Sequence, residues 1–248
     1  KEASADDTIV VKKGPAPKTR SRLERRGKKY QELAKLIDKN QVYSLTEAIE
    51  LAVKTNTSKV DATAEIHVRL GVDPRQADQN IRSTVKLPHG TGKNVRVAVF
   101  AAEDRLTEAK NAGADIAAAD DFLKQLEKGE LNFDVLITTP QLMPKLGKYA
   151  RVLGPKGLMP NPKSGTVATD LAQAVSETKA GRVEYRVDKQ AIVHIGFGKV
   201  SFGKDKLVEN AEAFLTDLNG QKPASMKGVY IKSMFISTSH GPSIKVQA

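Results

Sequence analysis

A chain of 248 residues with 40 Lys plus Arg against 29 Asp plus Glu carries a formal net charge of +11, yet 40% of it is hydrophobic; that is enough to fill real cores in one large or two ordinary domains and excludes a disordered polycation. The surplus charge attracts polyanions, and apolar runs no longer than Val95 to Ala102 exclude a membrane span, leaving nucleic acid as the better partner. The absence of cysteine removes disulfides, thiol catalysis and thiolate metal sites, and fits a reducing compartment.

Residues 1–29 lack hydrophobic periodicity and read as an extended basic arm. From Lys12 to Lys29 nine Lys and Arg residues meet only Glu24, while Gly14, Pro15 and Pro17 discourage regular structure. A helical end is expected from about Ser21. The chain begins at Lys1 in place of Met, as it would after removal of a targeting peptide and equally after simple trimming of its start. Tyr30 to Lys39 has a helical pattern. Ser44 with Glu47 three residues on predicts a capping box, in which each side chain satisfies a free backbone N–H of the first turn, and a helix to about Asn56. Asp61 to Leu70 alternates as a strand, with Ala64, Ile66, Val68 and Leu70 on one face and Glu65, His67 and Arg69 on the other.

From Val95 the pattern changes. Val95 to Ala101 reads as a short buried strand and is followed by a helix from about Asp104 to Ala112. A second helix falls near Asp121 to Lys128, a second buried strand at Phe133 to Thr139, and a third helix from about Pro140 to Leu153. Strands alternating with helices over short links imply parallel strands covered on both faces. After Gly181 come two alternating runs, Arg182 to Val187 and Ala191 to Ile195, then a helix over about Asp205 to Asn219, then strands at Gly228 to Ser237 and Ser243 to Val246. These last strands need partners, and Asp61 to Leu70 is the obvious one.

The economical architecture is one domain built from both chain ends with an α/β unit inserted between two crossings. Leu87 to Gly92 and Lys179 to Gly181 are the expected crossings. Gly90, Gly92 and Gly181 are the expected hinge, because glycine tolerates the backbone angles a hinge sweeps. The alternative is two consecutive domains split near Gly181.

No catalytic constellation is visible. Gly90-Thr91-Gly92-Lys93 lacks the rest of a phosphate loop: Leu87 and Asn94 occupy the positions of the first glycine and the Ser or Thr. The strand at Val95 leads into Glu103 and Asp104 where a dinucleotide fold needs glycines. His67, His89, His194 and His240 show no metal-ligand spacing and read as ordinary surface or turn histidines.

Two segments do suit nucleic acid. Gly147 to Thr166 is rich in glycine and proline, and no acid occurs from Gln141 to Thr169. This reads as a shaped loop with open backbone N–H groups, offering Arg151, Lys156 and Lys163 as secondary RNA contacts. By contrast, Glu103 to Asp134 is acidic. The second segment, Ser233 to Ser243, reads as strand, turn and strand, with hydroxyls beside a Gly-Pro turn that can bond phosphates and ribose hydroxyls. With aromatics at 5% and no Trp, structured RNA is a better target than a run of stacked single-strand bases. The rival is a nucleotide-dependent enzyme using the α/β unit, which would bind free mononucleotides or dinucleotides.

Four longer motifs carry a resemblance: Arg69-Leu70-Gly71-Val72-Asp73-Pro74-Arg75, Leu87-Pro88-His89-Gly90-Thr91-Gly92-Lys93, Arg151-Val152-Leu153-Gly154-Pro155-Lys156-Gly157-Leu158-Met159-Pro160-Asn161-Pro162-Lys163 and Gly181-Arg182-Val183-Glu184-Tyr185-Arg186. From Gly27 to Val246 the chain resembles the ribosomal protein L-one family of the bacterial and plastid type. The resemblance implies an α/β fold of two domains. An α+β RNA-binding domain would comprise residues 30–90 and 182–248, preceded by the basic arm, and an inserted Rossmann-like α/β domain would comprise residues 91–181.

The same resemblance implies no enzyme and no cofactor. It implies a structural constituent of the large ribosomal subunit, a monomer within the ribosome, bound to large-subunit rRNA in the mobile stalk near the exit site. Its partners would be that rRNA, exit-site tRNA and other ribosomal components, with no membrane and no small-molecule substrate. Assistance to the release of deacylated tRNA, and repression of its own mRNA, are further implications.

Carried over by position, the RNA-binding residues are Lys59, Thr63, Glu65, Asp188, Lys189, Ser233, Ser239, Gly241 and Pro242. Val60 stands where the family usually has Phe, and His240 where it usually has Met, which implies weaker binding to isolated RNA. The long arm and missing Met resemble a plastid (chloroplast) protein after transit-peptide removal, with a bacterial cytoplasm as the alternative.

Overall fold

The computed structural model describes residues 19–21, 23–127, 129 and 131–247, so most of the expected basic arm lies outside the described residues. The first helix, α1 (Lys28–Ala34), is shorter than its pattern suggests. The N–H groups of Lys35, Leu36 and Ile37 reach back three residues instead of four, and this tightened turn delivers Ile37 into the core, 7% exposed. Helix α2 (Leu45–Lys54) begins on the expected box: Glu47 N–H donates to Ser44 Oγ at 3.3 Å and Ser44 N–H donates to Glu47 Oε2 at 3.1 Å. It turns Ala48, Ile49 and Ala52 inward.

Strand β1 (Thr63–Leu70) alternates buried and partly exposed residues as its sequence requires. Strand β2 (Arg82–Lys86) follows; with Val85 its one apolar residue, no alternation announces it. Then come β3 (Val97–Phe100), α3 (Leu106–Asn111), β4 (Ile116–Ala118), α4 (Asp120–Glu127) and β5 (Val135–Thr138). The helix expected over 140–153 is broken into α5 (Met143–Gly147) and α6 (Ala150–Leu153). Pro144 lacks an N–H and suits a helix start rather than its interior, and Gly147 is a poor continuer. Helix α7 (Leu171–Lys179) and strand β4, neither expected, complete this region. The chain ends with β6 (Arg182–Arg186), β7 (Ile192–Lys199), α8 (Gly203–Gly220), β8 (Ile231–Thr238) and β9 (Ile244–Val246).

Three sheets result among the described residues. An antiparallel sheet has the order β7-β1-β8-β9, β2 and β6 form an antiparallel ribbon, and β4-β3-β5 form a parallel sheet. The C-terminal strands β7 and β8 do flank β1. Strand β6 does not join them; it pairs with β2, from Arg82 opposite Arg186 to Lys86 opposite Arg182.

Burial separates along the same lines. One cluster joins residues of 37–87 with residues of 183–246, including Ile49, Ile66, Leu70, Phe197, Phe214 and Ile236. Two more lie within 95–175 on opposite faces of the parallel sheet: Val97 and Val99 point into one, Ala98 and Phe100 into the other. That is the two-sided burial that continuous apolar strands imply.

Candidate nucleic-acid interface

Directly paired residues of an antiparallel sheet share a face. The register sets Glu65 between Gly196 and Ser237, His67 between His194 and Phe235, and Arg69 between Ile192 and Ser233. With Thr63 these residues make one outer face, because Ala64, Ile66, Val68 and Leu70 are all buried on the other. At about 3.3 Å per residue the strip from Thr63 to Arg69 is about 20 Å long.

At one end of the strip the backbone of β1 is tied to the turn after β8. Thr63 N–H donates to Ser239 Oγ at 3.3 Å, and Ser239 N–H donates to the Thr63 carbonyl at 3.0 Å. Lys199 Nζ donates to Thr63 Oγ1 at 3.2 Å, and Thr57 Oγ1 donates to the His240 carbonyl at 3.2 Å. The turn closes with Gly241 N–H donating to the Thr238 carbonyl at 2.8 Å. His240 sits there at φ 67°, a left-handed conformation in which His is several-fold enriched over most non-glycine residues. The backbone thus gives a physical reason for His at this position. Gly241 lies over Thr238, and a methyl group on it would overlap the Thr238 hydroxyl. Lys59 is exposed beside this end, and so is Val60, at 76%.

At the other end, the β6–β7 turn carries Asp188 and Lys189. Asp188 Oδ1 accepts the N–H groups of Gln190 and Ile192, both at 2.8 Å. Burial pushes its carboxyl up, but these bonds and His194 outweigh it and hold the carboxyl below its ordinary value. Lys189 is exposed at the tip, and Ser233 lies across the strip from it, opposite Arg69.

Two histidines join the ends. His67 and His194 share one hydrogen bond at 2.8 Å between their Nδ1 atoms, so one ring must donate and the other accept. His67 Nε2 is 3.2 Å from Ser237 Oγ, and His194 Nε2 is 3.6 Å from an Asp188 oxygen. Burial, and then the His194 charge, hold His67 below the ordinary histidine value. Asp188, His194, His67 and Ser237 form a polar chain across three strands. Sequence reading treated these rings as ordinary surface residues; the alternation places each on a strand face, but only the register brings them together.

The resulting surface offers hydroxyls, turn backbone, lysines at both ends, Arg69 and two carboxylates. Lysines suit phosphates, whereas carboxylates and hydroxyls accept from base N–H and ribose 2′-OH groups. Such a mixture reads shape and sugar chemistry rather than bulk charge. Among the described residues no group of His, Cys, Asp and Glu could hold a metal ion, and no helix is long and apolar enough to cross a membrane.

Arg151, Lys156 and Lys163 are exposed but lie away from this face, between α6 and the 3₁₀ turn at Pro162–Ser164. The expectation of open backbone N–H groups there is corrected. Asn161 N–H donates to Thr166 Oγ1 at 2.8 Å, Lys163 N–H to Asn161 Oδ1 at 2.9 Å, and the N–H groups of Gly157, Leu158, Ser164 and Gly165 go to carbonyls of the same segment. The glycines and prolines shape a self-bonded loop. Gly165 packs against Arg182, which donates to Thr84 Oγ1 at 3.3 Å and Glu177 Oε2 at 2.7 Å, so the loop sits on the β2–β6 ribbon.

Gly90, Gly92 and Gly181 have φ of 65°, 68° and 99° and lie around one shallow pocket. Asn210 on α8 holds this crossing: it is fully buried, its Nδ2 donates to the carbonyls of Gly90 at 3.0 Å and Phe197 at 2.8 Å, and its Oδ1 accepts His89 N–H at 3.0 Å. An Asn within an amphipathic helix gives no signal of this role in the sequence.

A family model described as Ribosomal protein L1p/L10e family matches residues 52–242. The match spans most of the chain, from the end of α2 through the turn after β8, and so contains every strand of the outer face except β9.

Proposed function

The chain belongs to the ribosomal protein L1p/L10e family, and from that premise we propose that it grips folded large-subunit rRNA with the outer face of the β7-β1-β8-β9 sheet. As a member of that family it is a large-subunit ribosomal protein that binds rRNA and is not an enzyme. The proposal adds where and how. Lys59, Thr63, Glu65, Ser239 and Gly241 hold the RNA at one end of the strip, where Pro242 is buried and shapes the turn, and Asp188, Lys189 and Ser233 hold it at the other.

The observation that carries this is the interlock of Thr63 with Ser239, which fixes the β1 start and the Gly-Pro turn as one rigid unit. A preformed surface loses little freedom on binding a prearranged RNA. Each lysine neutralises a phosphate, so affinity falls steeply with salt. Chemical footprinting of large-subunit rRNA by the purified chain tests the reading. Protection confined to one folded segment, lost at high salt, is expected; protection nowhere, or spread evenly, contradicts it.

The proposal extends to architecture and task. Residues 30–90 and 182–248 act as one domain and 91–181 as an inserted domain, swinging about Gly90, Gly92 and Gly181. Support comes from the separation of the buried clusters at residues 87 and 183. The proposed position in the ribosome is the mobile stalk, where swinging of the inserted domain assists deacylated tRNA in leaving the exit site. The same face would bind an mRNA that mimics the rRNA segment, which supports self-repression. A plastid ribosome is the proposed setting, with a bacterial one as the alternative.

A further inference from the structure

A cleft of about 520 Å³ opens between α1 and the outer face of the sheet. It adjoins the Gly241-Pro242 turn but is walled in part by residues 26–39, which lie outside the segment the family model matches. Tyr30 on α1 and Phe235 on β8, both half-buried, supply its aromatic surface, and Phe235 stands directly opposite His67. The Arg26 guanidinium lies 5.1 Å over the Tyr30 ring. Lys39 and Lys245 add two more cations to the lining, against Asp38 as the single acid.

This combination selects its occupant. Phosphates alone require cations and no rings, and an apolar peptide gains nothing from three cations. A duplex is far wider than a cleft of this volume, which falls within the range of about 300–1,000 Å³ typical of small-ligand sites. An unstacked nucleotide fits both features, because its base has two faces for aromatic rings and its phosphate a charge for lysine or arginine. We infer that the cleft receives one unstacked nucleotide of the RNA held by the adjoining face, with its base against Tyr30 and Phe235 and its phosphate near Arg26, Lys39 and Lys245. The low aromatic content argues against a run of stacked bases and is compatible with a single one.

The inference rests on the RNA-binding reading, so its test separates the two. Binding of the full chain to a large-subunit rRNA transcript is measured by filter retention across a salt series, for wild type, Tyr30→Ala, Tyr30→Phe, Arg26→Ala and the charge reversal Lys59→Glu on the sheet face. Tyr30→Ala is expected to weaken binding about tenfold, with an unchanged slope of log affinity against log salt, and Tyr30→Phe to bind as wild type. Arg26→Ala is expected to flatten the slope by about 0.7–0.9. Ultraviolet irradiation of the complex is expected to crosslink a nucleotide to the peptide holding Tyr30 or Phe235. If Lys59→Glu weakens binding while Tyr30→Ala does not, the cleft proposal falls and the face stands. A Tyr30→Ala loss with a flattened slope also overturns it, since Tyr30 would then act only by positioning Arg26. If the wild-type chain ignores the transcript, both readings fall.

Discussion

Gly181 lies against Gly90 so closely that a methyl group on Gly181 would overlap the Gly90 backbone. The two segments that connect the β7-β1-β8-β9 body to residues 91–181 therefore touch at a point where neither carries a side chain. Gly181 also has φ 99°, outside the range other residues adopt readily. Gly181→Ala is expected to destabilise the protein by about 1–3 kcal/mol through strain and overlap together. Urea unfolding read by circular dichroism checks this, and an unchanged midpoint would mean that the crossings move apart at no cost.

Asn210 provides a second test of the same junction. Its three hydrogen bonds satisfy the backbone of Gly90, Phe197 and His89 from a fully buried position. Asn210→Leu leaves all three backbone groups without that partner, at about 1–3 kcal/mol for each one kept from water. A loss of at least about 2 kcal/mol in urea unfolding is expected, together with faster amide exchange at His89. Exchange there at the wild-type rate would show that the segment is held by something else.

Thr238 and Gly241 make opposite predictions from one contact. Thr238 Oγ1 is buried without a hydrogen-bond partner among the described residues. Replacing it by the similarly shaped Val removes an unsatisfied polar group, so Thr238→Val is expected to leave the melting temperature unchanged or raise it. Gly241→Val instead drives a side chain into Thr238 and deforms the turn. It is expected to reduce RNA binding far more than Lys93→Ala, in a filter-binding assay. The overlap with Thr238 means that a side chain at Gly241 disturbs the turn itself, besides any RNA held against it.

His67 makes stability depend on pH. His67 is held below its ordinary value, chiefly by burial and next by the His194 charge. The unfolded chain therefore takes up the proton first as pH falls, and stability drops from the ordinary histidine value of about 6.5 down to the lower folded value. Glu65, 3.9 Å from His67, tempers the effect. A lower melting temperature at about pH 5.5 than at about pH 7.5 is expected, with a smaller difference in His67→Phe. Equal differences in the two proteins would place the titration elsewhere.

What the sequence reveals and conceals follows from the range of the interactions. The Ser44 and Glu47 box is local, and both residues are legible because they lie one helical turn apart. Alternation in β1 gives its two faces, since period two survives without knowing the neighbours. Strand β2 is hidden because its partner β6 supplies the apolar packing, and α5 starts around Pro144 and ends at Gly147, two breaks that a broad helical pattern conceals. The His67–His194 bond joins positions 127 residues apart, so no window along the chain contains it. The carried-over site residues group at the two ends of one strip, and the register explains why they do. Arg151, Lys156 and Lys163 lie elsewhere, on a loop that spends many of its N–H groups on its own atoms.

The central claim is that RNA lies along the outer face of β1, β7 and β8. Amide hydrogen exchange of the full chain, with and without a large-subunit rRNA transcript, addresses it most directly. Slowed exchange is expected in residues 57–69, 188–194 and 233–242, with little change in 150–166. Slowing confined to 150–166, or no slowing under conditions where the RNA is bound, would contradict the account.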